Sequence, residues 1–372
     1  MDDRLITIAI HTYERALELK SLLESEGIEA VLQNVNLSSP IISSGVRVRI
    51  KEHDLPAALR IIENREIFVG PAVTSLDLPL SRRILVPVDF TPMSIKACKA
   101  AFRIAHAHQA EIVLLNAFVD PALTASIQLS DTLDFDVAGA QLRESIAKAA
   151  ENSMITLCDE LKHMIKEGEI PPVKFTREIT EGVPEDAINA WAKKHQPMLI
   201  VMATRGADKK ERELVGSVTA EVLDTSRTPI FTIPESASTD TIERMRHIVF
   251  FCTLTQEDML GLDALSRLFD ESMLRVTLLH IRSRKDATHG LTAAEDALLR
   301  YCRENYPLCT FEMMSAASDQ STEKLDSIDR TAKINMLAVL NKKKNVFARL
   351  FNPGMAHRLL FRADIPMIVI PV

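Results

Sequence analysis

The chain has 372 residues, with 44 Lys and Arg against 51 Asp and Glu and a formal net charge of −7. That balance argues against a basic nucleic-acid-binding face, and an aromatic content of 5% leaves little for base-stacking platforms. Five cysteines, Cys98, Cys158, Cys252, Cys302 and Cys309, form no CxxC pair, which suits packed or surface thiols in a reducing compartment.

No apolar run approaches the roughly 18 residues of a membrane helix, and the acidic opening 1–10 runs straight into a strand pattern. The expectation is a cytoplasmic chain without a leader and without a membrane partner. At roughly 100–200 residues per domain, the length predicts two or three domains.

In chain order, 4–10 reads as a strand and 13–27 as a helix with Ala16, Leu17, Leu22 and Leu23 on one face and Gly27 as its stop. Strands follow at 28–33 and 46–50, then a helix at 53–64. The order β-α-β-β-α predicts a small two-layer module over 1–67. Its loops at 34–36 and 43–45 read as solvated turns or as a place to hold a ligand. Residues 68–81 mix Gly, Pro and Ser without periodicity and read as a linker.

Over 82–234 the pattern changes to strands at 84–88, 112–119, 173–179, 198–203 and 228–234. Helices lie between them at 94–109, 140–167 and 185–195, another opens at Gly216-Ser217, and an acidic insertion covers 123–137. Such alternation predicts a parallel, doubly wound sheet. The text then repeats over 244–372. A shift of 164 residues lays RRILVPVDFT (82–91) on RHIVFFCTLT (246–255), and a shift of 138 lays MLIVMA (198–203) on MLAVLN (336–341). A shift of 137 lays TPIFTIP on IPMIVIP (365–371), so a duplicated domain is expected, with 235–243 as its linker. The closing strands, 229–233 and 366–370, carry apolar edges that are expected to pair, within one chain or between two.

Ligands of a doubly wound sheet sit outside the carboxyl ends of its strands. Asp89 stands at that end of the first strand of the unit, and Thr204, Arg205 and Gly206 at that end of the fourth. The helix opening at Gly216-Ser217, continued by Val218 and Thr219, would turn unpaired N–H groups toward an anion. Local readings compete: Gly-Ser is also an ordinary helix cap, and Asp89 an ordinary turn residue. Lys209, Lys210 and Arg212 read as a solvated basic turn or as phosphate contacts, and Lys342, Lys343 and Lys344, with Arg349, Arg358 and Arg362 nearby, as a solvated basic face or a weak anion or partner contact. No Walker loop, GxGxxG, HExxH or GxSxG occurs, and His106 and His108 point to different sides of their helix. No metal ligand and no catalytic residue is therefore assigned.

Gly206, nine intervening residues and Gly216-Ser217 together resemble the phosphate-binding signature of the universal stress protein family, Gly-two-Gly-nine-Gly-Ser/Thr, with Ala203 where the first glycine is expected. The resemblance covers 82–234. It implies an α/β architecture of two doubly wound, Rossmann-like units of the adenine nucleotide alpha hydrolase type, 82–234 and 244–372, after the small module. It also implies an adenine nucleotide, ATP or AMP, with or without Mg. Val88 and Asp89 would lie beside adenine and ribose, and Ala117 would line the adenine pocket. Ala203, Gly206, Gly216, Ser217, Val218 and Thr219 would surround the phosphates. If the first glycine serves a positive φ, alanine there is strained by about 1 kcal/mol; if it serves only close approach, a methyl weakens the site without abolishing it.

The small module resembles the ferredoxin-like prokaryotic signal-transducing domain through ITIAIHTYERALELKSLLESEGIEAVL and VRVRIKEHDLPAALRII. In the second copy Thr253, Lys344 and Met355 replace Asp89, Gly206 and Ser217, and only Gly354 remains. That copy is expected to keep the fold without the site. The implied function is a cytosolic stress-response regulator in which nucleotide orders the 206–216 loop and changes the surface shown to a protein partner. The alternatives are a nucleotide-free interaction scaffold and a slow ATPase.

Overall fold

A computed structural model describes residues 5–11, 13–34, 46–51, 54, 57–58, 81–119, 135–204, 217–235, 237, 246–269, 274–282, 291–317, 328, 333–341 and 365–371. The chain opens with β1 (Leu5–His11), α1 (Tyr13–Ser25), β2 (Ala30–Asn34) and β3 (Val46–Lys51). β3 lies between β1 and β2, antiparallel to both. Ala16, Leu19 and Leu23 of α1 pack on Ile28, Ala30, Val48 and Ile50. Leu17, expected on the apolar face, is 44% exposed, and Leu19 takes the inner place at helical spacing from Ala16 and Leu23. Gly27, at φ 83°, supplies the left-handed turn that ends the helix. Of the helix expected at 53–64, only 54 and 57–58 are among the described residues.

The rest builds one ten-stranded sheet. Its first half contains β4 (Ser81–Pro87), α2 (Pro92–His108), β5 (Glu111–Phe118), α3 (Phe135–Lys166), β6 (Phe175–Glu181), α4 (Pro184–His195), β7 (Pro197–Ala203), α5 (Ser217–Thr225) and β8 (Ile230–Ile233). Its second half contains β9 (His247–Cys252), α6 (Gln256–Leu268), β10 (Arg275–Arg282), α7 (Ala293–Asn305), β11 (Thr310–Ala317), β12 (Met336–Asn341) and β13 (Met367–Pro371). Helix α3 begins at Phe135, inside the stretch expected to be insertion, and 120–134 lies outside the described residues.

Across the sheet the order is β6-β5-β4-β7-β8 and then β13-β12-β9-β10-β11. Each half has the same order, third-second-first-fourth-fifth in its own chain sequence, and its strand pairs are parallel. The halves join where β8 and β13 run antiparallel, Ile230 opposite Val369, Phe231 opposite Ile368 and Thr232 opposite Met367.

The sequence explains the layering. Strands covered on both faces read as continuous apolar runs, as in Met198, Leu199, Ile200, Val201 and Met202 of β7, all buried. Alternate residues feed two cores. One face holds Ile84, Ile112, Val201, Phe231, Phe250, Leu278 and Ile368. The other holds Leu85, Val113, Ile200, Ile230, Val249, Leu279 and Val369. Both cores cross the β8–β13 junction, so the two halves share them. The edges of the sheet, β6 and β11, carry charged residues such as Arg177, Glu178 and Glu312, which discourage further strand addition.

Candidate functional site

The strand register brings the expected contacts to one end of the sheet. β4 pairs with β5 through Pro87 opposite Leu115, which sets Val88 and Asp89 beside Asn116 and Ala117. β4 also pairs with β7 through Leu85 opposite Ile200, which sets Ala203 at the same carboxyl end. Helix α5 opens at Ser217 after the 205–216 stretch. Gly206 and Gly216 lie in that stretch, outside the described residues, as do Lys209, Lys210 and Arg212. In the second half the same holds for Lys344, Gly354 and Met355.

Several of these residues already have partners. The Thr91 amide and hydroxyl both donate to Asp89 Oδ1, at 3.1 and 2.6 Å, so Asp89 closes the turn from β4 into α2. Thr91 then caps the helix by accepting from the Ser94 amide at 3.3 Å, with Pro92 in the first turn where its missing N–H costs nothing. The Thr219 hydroxyl donates to the Ala203 carbonyl at 2.9 Å and pins the first turn of α5 to the end of β7. Val218 packs partly against the core on the α4 and α5 side. Val88 and Ala117 are buried.

Asn116, not singled out from the sequence, is buried beside Ala117. Its Nδ2 donates to the Val88 carbonyl at 2.7 Å and braces the two strand ends, while its Oδ1 has no hydrogen-bond partner among the described residues. One asparagine inside an apolar strand carries no sequence signal that separates it from a turn residue.

The second half builds the same end differently. Phe90 and Leu254 stand at equivalent places and share a left-handed backbone, φ 62° and 61°. Thr253, in the place of Asp89, is exposed. The carboxylate now comes from Asp258 on α6, wholly buried, whose Oδ2 accepts from the Thr253 and Thr255 amides at 2.9 and 3.1 Å. At the ends of β10 and β11, buried Glu295 of α7 accepts from Arg282 through Nε (2.9 Å) and Nη2, from Ser315 Oγ (2.7 Å) and from the Thr292 amide (2.8 Å), and bonds His280 Nδ1 at 2.8 Å. Burial alone would raise its pKa; the Arg282, Thr292, His280 and Ser315 bonds outweigh that and hold it below the ordinary carboxylate range. Neither acid is singled out from the sequence, although the capping-box spacings Thr255-x-x-Asp258 and Thr292-x-x-Glu295 are the signal that could have found them. Asn341, in the place of Ala203, donates instead to the Leu223 carbonyl of α5 at 3.0 Å, so the second half caps a helix of the first.

Among the described residues no group of three or more His, Cys, Asp or Glu is placed to hold a metal ion, and no helix is long and apolar enough to cross a membrane. All five cysteines are free thiols. Burial pushes Cys98 and Cys252 far up and Cys302 up to about 12, which keeps them protonated and unreactive.

The profile of the universal stress protein family matches 81–234, and the profile described as "Putative prokaryotic signal transducing protein" matches 15–66. A universal stress protein of Methanocaldococcus jannaschii is 30% identical over 154 residues, 41% of this chain and 82% of that protein. A solved universal stress protein from Archaeoglobus fulgidus superposes with a TM-score of 0.54 at 15% identity, covering 78% of this chain and 97% of its own, a likeness of fold. That share exceeds the 41% matched in sequence, so the likeness of fold reaches beyond 81–234. A universal stress protein solved in complex with cAMP aligns over 41% of this chain and 97% of its own, at 20% identity and a TM-score of 0.26. With the matched relative covered over four-fifths of its length, the chain belongs to the universal stress protein family.

Proposed function

We propose that the chain is a stress-response regulator whose first unit, 82–234, binds ATP or AMP at the carboxyl ends of β4 and β7, and whose second unit, 244–372, is a fold-retaining partner without a nucleotide site. The observation that supports this reading is the register. It brings Val88, Asp89, Ala117 and Ala203 to one end of three adjacent strands, with the start of α5 following the Gly206–Gly216 spacing. Nucleotide would order the 206–216 loop and change the surface offered to a protein partner. In the second unit, Asp258 and Glu295 already engage the corresponding backbone and side chains, which favours a structural role there.

A second reading, a nucleotide-free scaffold, draws on the same end of the first unit: Asp89 is engaged by Thr91 and the Ala203 carbonyl by Thr219. Isothermal titration of the nucleotide-stripped chain with Mg-ATP and with AMP separates the two. About one site per chain is expected, together with thermal stabilisation that Gly206→Glu and Ser217→Arg both remove. Two sites per chain would refute the silent second unit. No heat and no thermal shift at millimolar nucleotide would favour the scaffold, and an ATPase would require turnover that Asp89→Ala abolishes.

A further inference from the structure

Helices α4 and α5 lie side by side over the first half of the sheet, and the seam between them buries two carboxyl groups, those of Glu185 and Glu221. Glu185 and Asn189 stand one turn apart on α4, and Glu221 and Thr225 one turn apart on α5. Asn189 Nδ2 donates to Thr225 Oγ1 at 2.7 Å, and Thr225 Oγ1 donates to the Glu221 carbonyl at 2.6 Å, which engages the donors at that level. One turn nearer the helix starts, Glu185 is 3% exposed, and its Oε2 has no hydrogen-bond partner among the described residues. Glu221 is equally buried.

Among the described residues, the side chains whose charge acts on Glu185 are Glu221 of α5 and Asp186 of its own helix, both of which oppose its ionisation. Beneath α4, the strands present Leu85 of β4 and Val113 and Leu115 of β5. On β6, Glu178 accepts from the Trp191 indole at 2.8 Å, and Asp224 lies further along α5. The basic residues Arg205, Lys209, Lys210 and Arg212 precede α5 in 205–216, outside the described residues. Burial pushes the Glu185 carboxyl up to about 7; its own backbone N–H opposes that, and Glu221 and Asp186 add to it. An acceptor buried against another carboxylate is satisfied most cheaply by a proton.

We propose that the α4–α5 seam is a proton-operated clamp on α5: a proton on Glu185 lets the two helices stay packed, and its loss sets two buried carboxylates against each other and loosens the helix that opens at Ser217. The clamp goes beyond the nucleotide reading and operates without ligand. A helix of nine residues is marginal alone, so α5 depends on such packing. Because Glu185 holds its proton more tightly in the packed seam than in an opened one, the packed state is fully favoured below about 4.5 and progressively less so as pH rises to about 7.

Hydrogen exchange of the ligand-free full chain at pH 6 and pH 8, corrected for intrinsic exchange, tests the clamp. The opening constant of the 217–225 amides is expected to rise about tenfold from pH 6 to pH 8, while the 92–108 amides of α2 stay level. Glu185→Gln, which keeps the shape and removes the charge, should abolish the rise. Glu221→Gln, which removes the opposing charge, should shrink it, and carries the test if the α2 amides show that Glu185→Gln has disturbed the fold. Equal protection of 217–225 at both pH values, or a rise that survives both substitutions, would overturn the proposal.

Discussion

Phe90 and Leu254 adopt a left-handed backbone that neither side chain favours, at about 1–2 kcal/mol each, and do so at matching points of the two halves. What holds each turn differs. Asp89 ties the first from its own strand end, and Asp258 ties the second from the following helix. Asp258→Ala removes the acceptor for the Thr253 and Thr255 amides and should destabilise the chain by about 1–3 kcal/mol, measured by urea unfolding. An unchanged midpoint would mean that water replaces the carboxylate fully. Asn116 acts at the same scale in the first half by tying Val88 to the end of β5.

At the scale of the element, α7 and α5 show how the two halves diverge. The start of α7 is anchored by Glu295, which binds Arg282, His280 and Ser315 on the two strands beneath it. Arg282→Met leaves that carboxylate buried without its cation, a change worth about 3–5 kcal/mol for a buried pair, with the lower end expected because Thr292, His280 and Ser315 remain. Since the folded-state pKa of Glu295 is held below its unfolded value, its contribution is complete above about pH 4.3 and is lost as pH falls through the folded value. Without the cation the folded value moves back toward the unfolded one, so the variant starts less stable but should lose less of its stability between neutral and acid pH, which urea unfolding at pH 7 and pH 3 would register. Helix α5 is held at both ends by backbone carbonyls: Thr219 reaches that of Ala203 on β7, and Asn341 of the second half reaches that of Leu223. A residue at the site position of one half thus supports the helix of the other.

The whole molecule is organised by the β8–β13 junction. Phe231 and Ile368 face each other across it, both wholly buried, and the two cores run through it from half to half. Phe231→Ala should cost about 3–5 kcal/mol and act on both halves. Trp191, the single tryptophan, reports on the first half, and in a Tyr13→Phe background the two remaining tyrosines, Tyr301 and Tyr306, report on the second. Thermal unfolding followed by Trp191 fluorescence and by the tyrosine signal is expected to shift together in the variant. A shift of Trp191 alone would mean that each half is stable on its own.

The sequence by itself determined the alternation of strands and helices over 82–234, because buried parallel strands such as 198–203 must be continuously apolar and the helices between them amphipathic. It also carries the Gly206–Gly216 spacing and the shifted matches from which a repeat is expected, both properties of linear text. Leu17 was misplaced because neighbouring leucines on a short helix fit more than one apolar face, and only packing against β2 and β3 chose Leu19. Tertiary structure alone decided that Asn341 caps α5, that Glu185 and Glu221 are buried in the seam between two helices, and that the closing strands pair within one chain. Each of those contacts joins residues whose meeting depends on strand register and helix placement in three dimensions, and side-chain type along the chain carries no record of either.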